Sequence, residues 1–146
     1  MLKKILVPVD GSPTALNALN LAMAIGAKFD SEIIALHINI PYDYTKLPPR
    51  KPKTEAEAEE MARKPKNPTP LDAAQKVAAV AGYGKIVFRQ MVDTNPADKI
   101  VEAVEQSDID MVVMGNRGMG VWAGLLMGSV SAKVSQTVEC PVIIVK

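Results

Sequence analysis

Glycines at 115, 118, 120, 124 and 128 crowd one stretch of the chain, and Ser129 and Ser131 follow directly. The stretch opens on Met111-Val112-Val113-Met114, an apolar run that fits a buried parallel strand. It closes on Val130, Val134 and Val138, spaced four apart as on one face of a helix. Strand, glycine-rich loop, helix is an order suited to binding an anion. Glycine lets the backbone turn and lets its N–H groups approach a bulky phosphate. A helix start offers unpaired N–H donors and a partial positive charge. Ser129 and Ser131 add hydroxyls in that first turn. The stretch predicts a phosphate or polyphosphate seated over residues 115–118 and 128–131. A plainer reading stands beside it: glycines after a strand make a turn, and a serine caps a helix.

Two stricter motifs fail. A P-loop needs lysine after its second glycine, and Val121 follows Gly120. Gly118, Gly120 and Ala123 match the dinucleotide fingerprint in form, with Glu139 about twenty residues on. That fingerprint opens a βαβ unit and its acid ends the second strand. Here Glu139 precedes only the last apolar run, so the match is one of chance.

The rest of the chain supplies the elements that position this loop. Residues 5–9 form a short apolar run, a first and central strand. Asp10-Gly11-Ser12-Pro13 breaks it, with Ser12 an N-cap and Pro13 at the first helical position. Leu16, Leu19, Ala22 and Met23 share a face of the helix that follows, which Gly26 or Lys28 should end. Residues 33–40 read as strand two. His37, the one histidine, is embedded there, as a core or strand-end residue rather than a catalyst.

Thr69 caps a helix that starts at Pro70 and runs to about Ala81, with Leu71, Ala74, Val77, Ala78 and Ala81 on one face. Residues 86–92 read as strand three, and Arg89 and Gln90 mark it as an edge. Asn95 and Pro96 start a helix burying Ala97, Ile100, Val101 and Val104. Strand four, the glycine loop, helix four and a strand at 142–145 complete the alternation. Such alternation argues a parallel sheet with helices on both faces. Asp10 ends strand one, where ligands of open α/β sheets bind. Its carboxylate either accepts a hydrogen bond from a nucleoside or only shapes the turn.

Residues 41–70 differ. Seven of the eleven prolines fall there among mixed charges, which prevents a long regular element. A short helix from Glu55 to Arg63, capped by Thr54 with Glu57, is the one element expected. The rest of this segment is expected to be disordered.

Bulk composition narrows the function. The chain has 146 residues, one domain's worth, and 48% are apolar. A net charge of +1 gives no field to draw nucleic acid or an acidic membrane, and 4% aromatics give few stacking platforms. The lone Cys140 excludes an internal disulfide and reads as a buried structural thiol. No leader or apolar span is evident, so the expectation is a soluble, cytoplasmic protein without nucleic-acid or membrane partners.

One pattern fits in full: Gly115, two residues, Gly118, nine residues, Gly128-Ser129. It resembles the nucleotide-binding signature of the universal stress protein family, in its ATP-binding branch. The opening Lys4-Ile5-Leu6-Val7-Pro8-Val9-Asp10-Gly11-Ser12, the strand before the loop and the ending Cys140-Pro141-Val142-Ile143-Ile144-Val145 look like that family too. The likeness spans nearly the whole chain outside residues 41–70. Where the family often has a glycine before Pro-Ala, this chain has Thr94-Asn95-Pro96-Ala97.

The resemblance implies an open twisted five-stranded parallel sheet in the order 3-2-1-4-5, of the adenine nucleotide α-hydrolase-like or Rossmann-like kind. It implies ATP as ligand, with Mg or Mn held by the phosphates. Adenine and ribose would lie among Pro8, Val9, Asp10, the Ile38 backbone, Met114 and Gly115. The triphosphate would lie on Gly118, Gly128, Ser129, Val130 and Ser131. Arg117 either adds charge near the γ-phosphate or is an exposed loop residue. The family also implies a homodimer through Val142, Ile143, Ile144 and Val145. No base or phosphate-binding lysine is evident, so hydrolysis should be slow or absent, and a regulatory switch is expected. The alternatives are a nucleotide-free dimeric scaffold of the same fold and an ATP-using enzyme of a related fold. A Ser-Gly-Gly-type loop would suit the latter, and this chain has Asp10-Gly11-Ser12. A receiver domain fits less well, since it needs paired acids after strand one.

Overall fold

The computed structural model describes residues 1–40, 53–56, 69–116 and 127–146. Its strands are β1 (Lys4–Pro8), β2 (Glu32–Asn39), β3 (Ile86–Val92), β4 (Met111–Gly115) and β5 (Val142–Val145). Its helices are α1 (Pro13–Phe29), α2 (Pro70–Ala81), α3 (Pro96–Gln106) and α4 (Ser129–Thr137). The strands form a single parallel sheet in the order β3-β2-β1-β4-β5.

Strand alternation divides the core between the two faces of the sheet. On one, Ile5, Val7, Val9, Ile33, Ala35 and Val113 pack with Leu19, Ala22 and Met23 of α1 and Ala74 and Ala78 of α2. On the other, Leu6, Ile34, Leu36, Ile38, Val112 and Met114 pack with Ala97, Ile100 and Val104 of α3 and Val134 of α4. The central strands are buried on both faces, which is why they read as unbroken apolar runs.

The helix starts follow the local sequence. The Ser12 hydroxyl accepts the Ala15 N–H at 3.3 Å. Thr69 and Asp72 form a reciprocal capping box, and the Asn95 side chain accepts the Asp98 N–H. Pro13, Pro70 and Pro96 each stand in a first turn, where a missing N–H costs nothing.

Several boundaries depart from expectation. Helix α1 passes Gly26 and Lys28 and ends at Phe29, because the stop is Asp30 in the left-handed conformation (φ 58°) with its N–H on the Gly26 carbonyl. Gly26 serves packing instead: a Cβ there would collide with the Tyr83 hydroxyl. Strand β2 starts one residue early, since the Glu32 N–H already pairs with the Lys3 carbonyl at 2.7 Å. It stops before Ile40, which is exposed. Ala81 is also exposed, in the last turn of α2, which Gly82 closes in the left-handed conformation (φ 66°). The expected helix at 55–63 lies largely outside the described residues, with only Glu55 and Ala56 seen as helical.

At the amino ends of the strands, side chains tie the layers. Asp110 accepts the Lys3 and Lys4 N–H groups at 2.7 and 2.9 Å. Those two bonds hold its carboxyl below the usual carboxylate range. The Tyr83 hydroxyl donates to the Ser31 carbonyl at 2.6 Å, and the fully buried Ser31 donates to Leu2 O at 2.7 Å.

Candidate functional site

At the opposite, carboxyl ends of the strands, the chain reverses across the sheet between β1 and β4. Those strands are neighbours, with Ile5 beside Met111 and Leu6 beside Val112. The turn after β1 and the segment after β4 therefore meet, as expected at a topological switch point.

Val9 leaves β1 still tied to β2. Its N–H donates to Leu36 O at 2.8 Å, and its carbonyl lies 2.8 Å from Nδ1 of His37. The histidine is thus a half-buried strand-end residue that holds the start of the turn. Asp10 then closes the turn on itself: Oδ1 accepts the Ser12 N–H at 2.9 Å. Gly11 between them has φ +84°, a conformation that favours glycine. The turn-shaping reading of Asp10 is therefore real, and that oxygen serves the turn. Pro8 is half-buried, while Ile38 and Met114 are 8% and 4% exposed on the α3–α4 face.

Gly115 ends β4 directly against α1. A Cβ there would stand 2.6 Å from Thr14 Oγ1 and 3.0 Å from both Ala15 N and Thr14 C. Its lack of a side chain lets the first turn of α1 close onto the sheet.

Asn116 is the hub of the next contacts. Its N–H donates to Val145 O at 2.8 Å, extending the β4–β5 ladder. Its carbonyl accepts the Gly128 N–H at 2.6 Å and the Ser131 hydroxyl at 3.0 Å. That hydroxyl also lies 3.1 Å from Gly128 O. The segment leaving β4 and the segment entering α4 are thereby joined at their bases. Ser131 is 3% exposed, and its hydroxyl is committed to these carbonyls. What it can offer a ligand is its backbone N–H, not the hydroxyl the sequence suggested.

Helix α4 starts differently from the other helices described. Gly128 is its N-cap and no side chain caps it; like α1, it has no acid in its first turn. Among the described residues, no side-chain acceptor or acid compensates its terminal N–H groups and partial positive charge. Ser129, at its first position, is exposed, and Val130 is half-buried. Arg117 and Gly118 lie outside the described residues.

Sequence reasoning missed two residues here. Thr14 has no chemical signature; its role follows from the β1–β4 adjacency. Asn116 had one weak signal, a polar amide directly after a strand otherwise apolar.

Comparison with known proteins bears on this arrangement. The model of the universal stress protein family matches residues 1–146. A universal stress protein of Methanocaldococcus jannaschii is 32% identical over 146 residues, covering 99% of this chain and 82% of the relative. Some relatives are longer: one from Mycolicibacterium smegmatis is 32% identical over 143 residues, and the chain spans 45% of it. A crystal structure of a universal stress protein in complex with cAMP superposes with a TM-score of 0.69 at 28% identity, covering 99% of this chain and 96% of that one. The Archaeoglobus fulgidus universal stress protein in complex with dAMP shares the fold, with a TM-score of 0.64 at 21% identity over 100% of both chains. With the sheet order, the switch-point geometry and a family match along its entire length, this chain belongs to the universal stress protein family.

Proposed function

We propose that this chain binds ATP at the switch point and acts as a nucleotide-dependent regulatory switch. The observation that carries the reading is the start of α4. An uncapped helix terminus, tied through Gly128 and Asn116 to the end of β4, is built to receive an anion. The cAMP complex of a relative supports an adenine nucleotide as the class of ligand.

Adenine and ribose would lie among Pro8, Val9, Asp10, the Ile38 backbone, Met114 and Gly115. The phosphates would take the N–H groups of Ser129, Val130 and Ser131 and the Ser129 hydroxyl, close over Gly128, whose own N–H is already held by the Asn116 carbonyl, with Arg117 and Gly118 completing the loop. Among the described residues no three His, Cys, Asp or Glu side chains gather. A Mg²⁺ or Mn²⁺ ion is therefore read as carried by the phosphates and water. Hydrolysis is read as slow or absent, since the described residues near α4 supply no positioned base.

Strand β5 lies at a sheet edge, and Val142, Ile143, Ile144 and Val145 are each half-buried and uncharged. An apolar edge invites pairing with its own copy, so a homodimer through β5 belongs to this reading. At the other edge Arg89 in β3 opposes such pairing. No described helix is long and apolar enough to cross a membrane. The working compartment is read as the cytoplasm.

The test is direct. Purified protein is denatured and released nucleotide identified by mass spectrometry. The stripped protein is then titrated with Mg-ATP while Trp122 fluorescence is followed. Released ATP or saturable binding supports the reading; neither, confirmed by calorimetry, favours a nucleotide-independent scaffold.

A further inference from the structure

Among the described residues, one buried side-chain polar atom has no hydrogen-bond partner: Oδ1 of Asn116. The residue is 8% exposed, so bulk water does not serve that atom. A buried acceptor without a donor is costly, and such an atom in a folded protein asks for a reason. The Asn116 backbone is held on both sides. Its N–H is fixed on Val145, and its carbonyl is fixed by Gly128 and Ser131.

The direction of the side chain follows from its neighbour. A Cβ on Gly115 would point into the first turn of α1. Alternation therefore sends Asn116 to the other face, with Met114 and the start of α4. There, an acceptor needing a donor lies near a helix start whose N–H groups need acceptors. The two needs are of opposite sign. A triphosphate, with only acceptor oxygens at neutral pH, answers the second alone. A ribonucleotide answers both, since it presents an O–H donor beside its oxyanions.

Resting on the nucleotide site proposed above, we infer that Asn116 Oδ1 accepts a hydrogen bond from a ribose hydroxyl. Asn116 then makes the site select ribonucleotides over deoxyribonucleotides. A site built to pair a ligand hydroxyl rejects the analogue lacking it, because its own polar group is left unpaired.

The experiment is calorimetric titration of the full chain with Mg-ATP, Mg-2′-deoxy-ATP and Mg-3′-deoxy-ATP. At least one deoxy analogue should bind about tenfold more weakly than ATP. Asn116→Ala should weaken ATP to the level of that analogue, bringing the ratio to within about twofold. Asn116→Leu, close in volume and without an acceptor, repeats the test if the alanine variant loses its cooperative melt. A readout without variants is the Asn116 side-chain amide signal in ¹⁵N NMR, which should shift with ATP and not with the weaker analogue. Equal wild-type affinity for all three nucleotides, or a ratio that survives in the variants, overturns the ribose contact alone. No binding of any of the three overturns the nucleotide site itself, and the ribose contact with it.

Discussion

Gly115 and Thr14 touch with no room for a side chain between them: a Cβ on Gly115 would lie 2.6 Å from the Thr14 hydroxyl oxygen. This contact locks the end of β4 to the start of α1 and sets how the two sides of the switch point meet. Gly115→Ala should cost about 1–3 kcal/mol, the usual penalty of overpacking. Urea denaturation should show a lower midpoint with an unchanged slope. Adding Thr14→Ala should restore only part of the loss. Backbone atoms Ala15 N and Thr14 C, both at 3.0 Å, remain in the way. Full restoration would place the clash wholly in the Thr14 side chain.

Ser129 and Ser131 should separate stability from binding. Ser131→Ala removes a buried donor to Asn116 O and Gly128 O and should cost about 0.5–1.5 kcal/mol in the melt. Ser129 is exposed at the first position of α4. Ser129→Ala should leave the melting temperature unchanged and weaken Mg-ATP binding. Equal destabilisation by the two changes would contradict this division.

How much of this was legible in the sequence varies with the range of the interaction. Ser12-Pro13, Thr69-Pro70 and Asn95-Pro96 announced three helix starts because capping is decided within four residues. The edge position of β3 could be read from Arg89 and Gln90, since a central strand would bury their charge and amide. The end of α1 could not. Gly26 looked like a stop, but Tyr83, far along the chain, needs that glycine for its hydroxyl to reach Ser31. The site was legible as a pattern of glycines, less so as roles. Gly115 clears the way for α1, Ser131 spends its hydroxyl on the loop's own carbonyls, and the uncapped start of α4 emerges only when Gly128, not a serine, is the cap.

Tyr83 links α2's end to the β2 start, and burial pushes its hydroxyl above the ordinary value of 10.0. The folded state therefore holds this proton more tightly than the unfolded chain. Its contribution is full below about pH 10 and is lost as pH rises through the folded value. Tyr83→Phe should cost about 1–3 kcal/mol at neutral pH by leaving the Ser31 carbonyl without this donor. The variant's stability should then fall less steeply than the wild type's in denaturation series above pH 10.

Asp110 gives the opposite sign. The backbone N–H groups of Lys4 and Lys3 hold its carboxyl below 3.8, the ordinary value. Its contribution is present above that pH and is lost as pH falls through the lower folded value. Asp110→Asn should lower the melting temperature at pH 7 and flatten its decline between about pH 4 and pH 2. An unchanged acid limb would mean that these bonds do not stabilise the fold.

The central claim is that the start of α4 seats the phosphates of ATP. Calorimetry of nucleotide-stripped protein with Mg-ATP tests it most directly, using wild type and a Gly128→Val, Ser129→Ala double variant shown to melt cooperatively. The account predicts saturable binding by the wild type and none by the folded variant. Binding of equal strength by both, or no binding by the wild type, would contradict it.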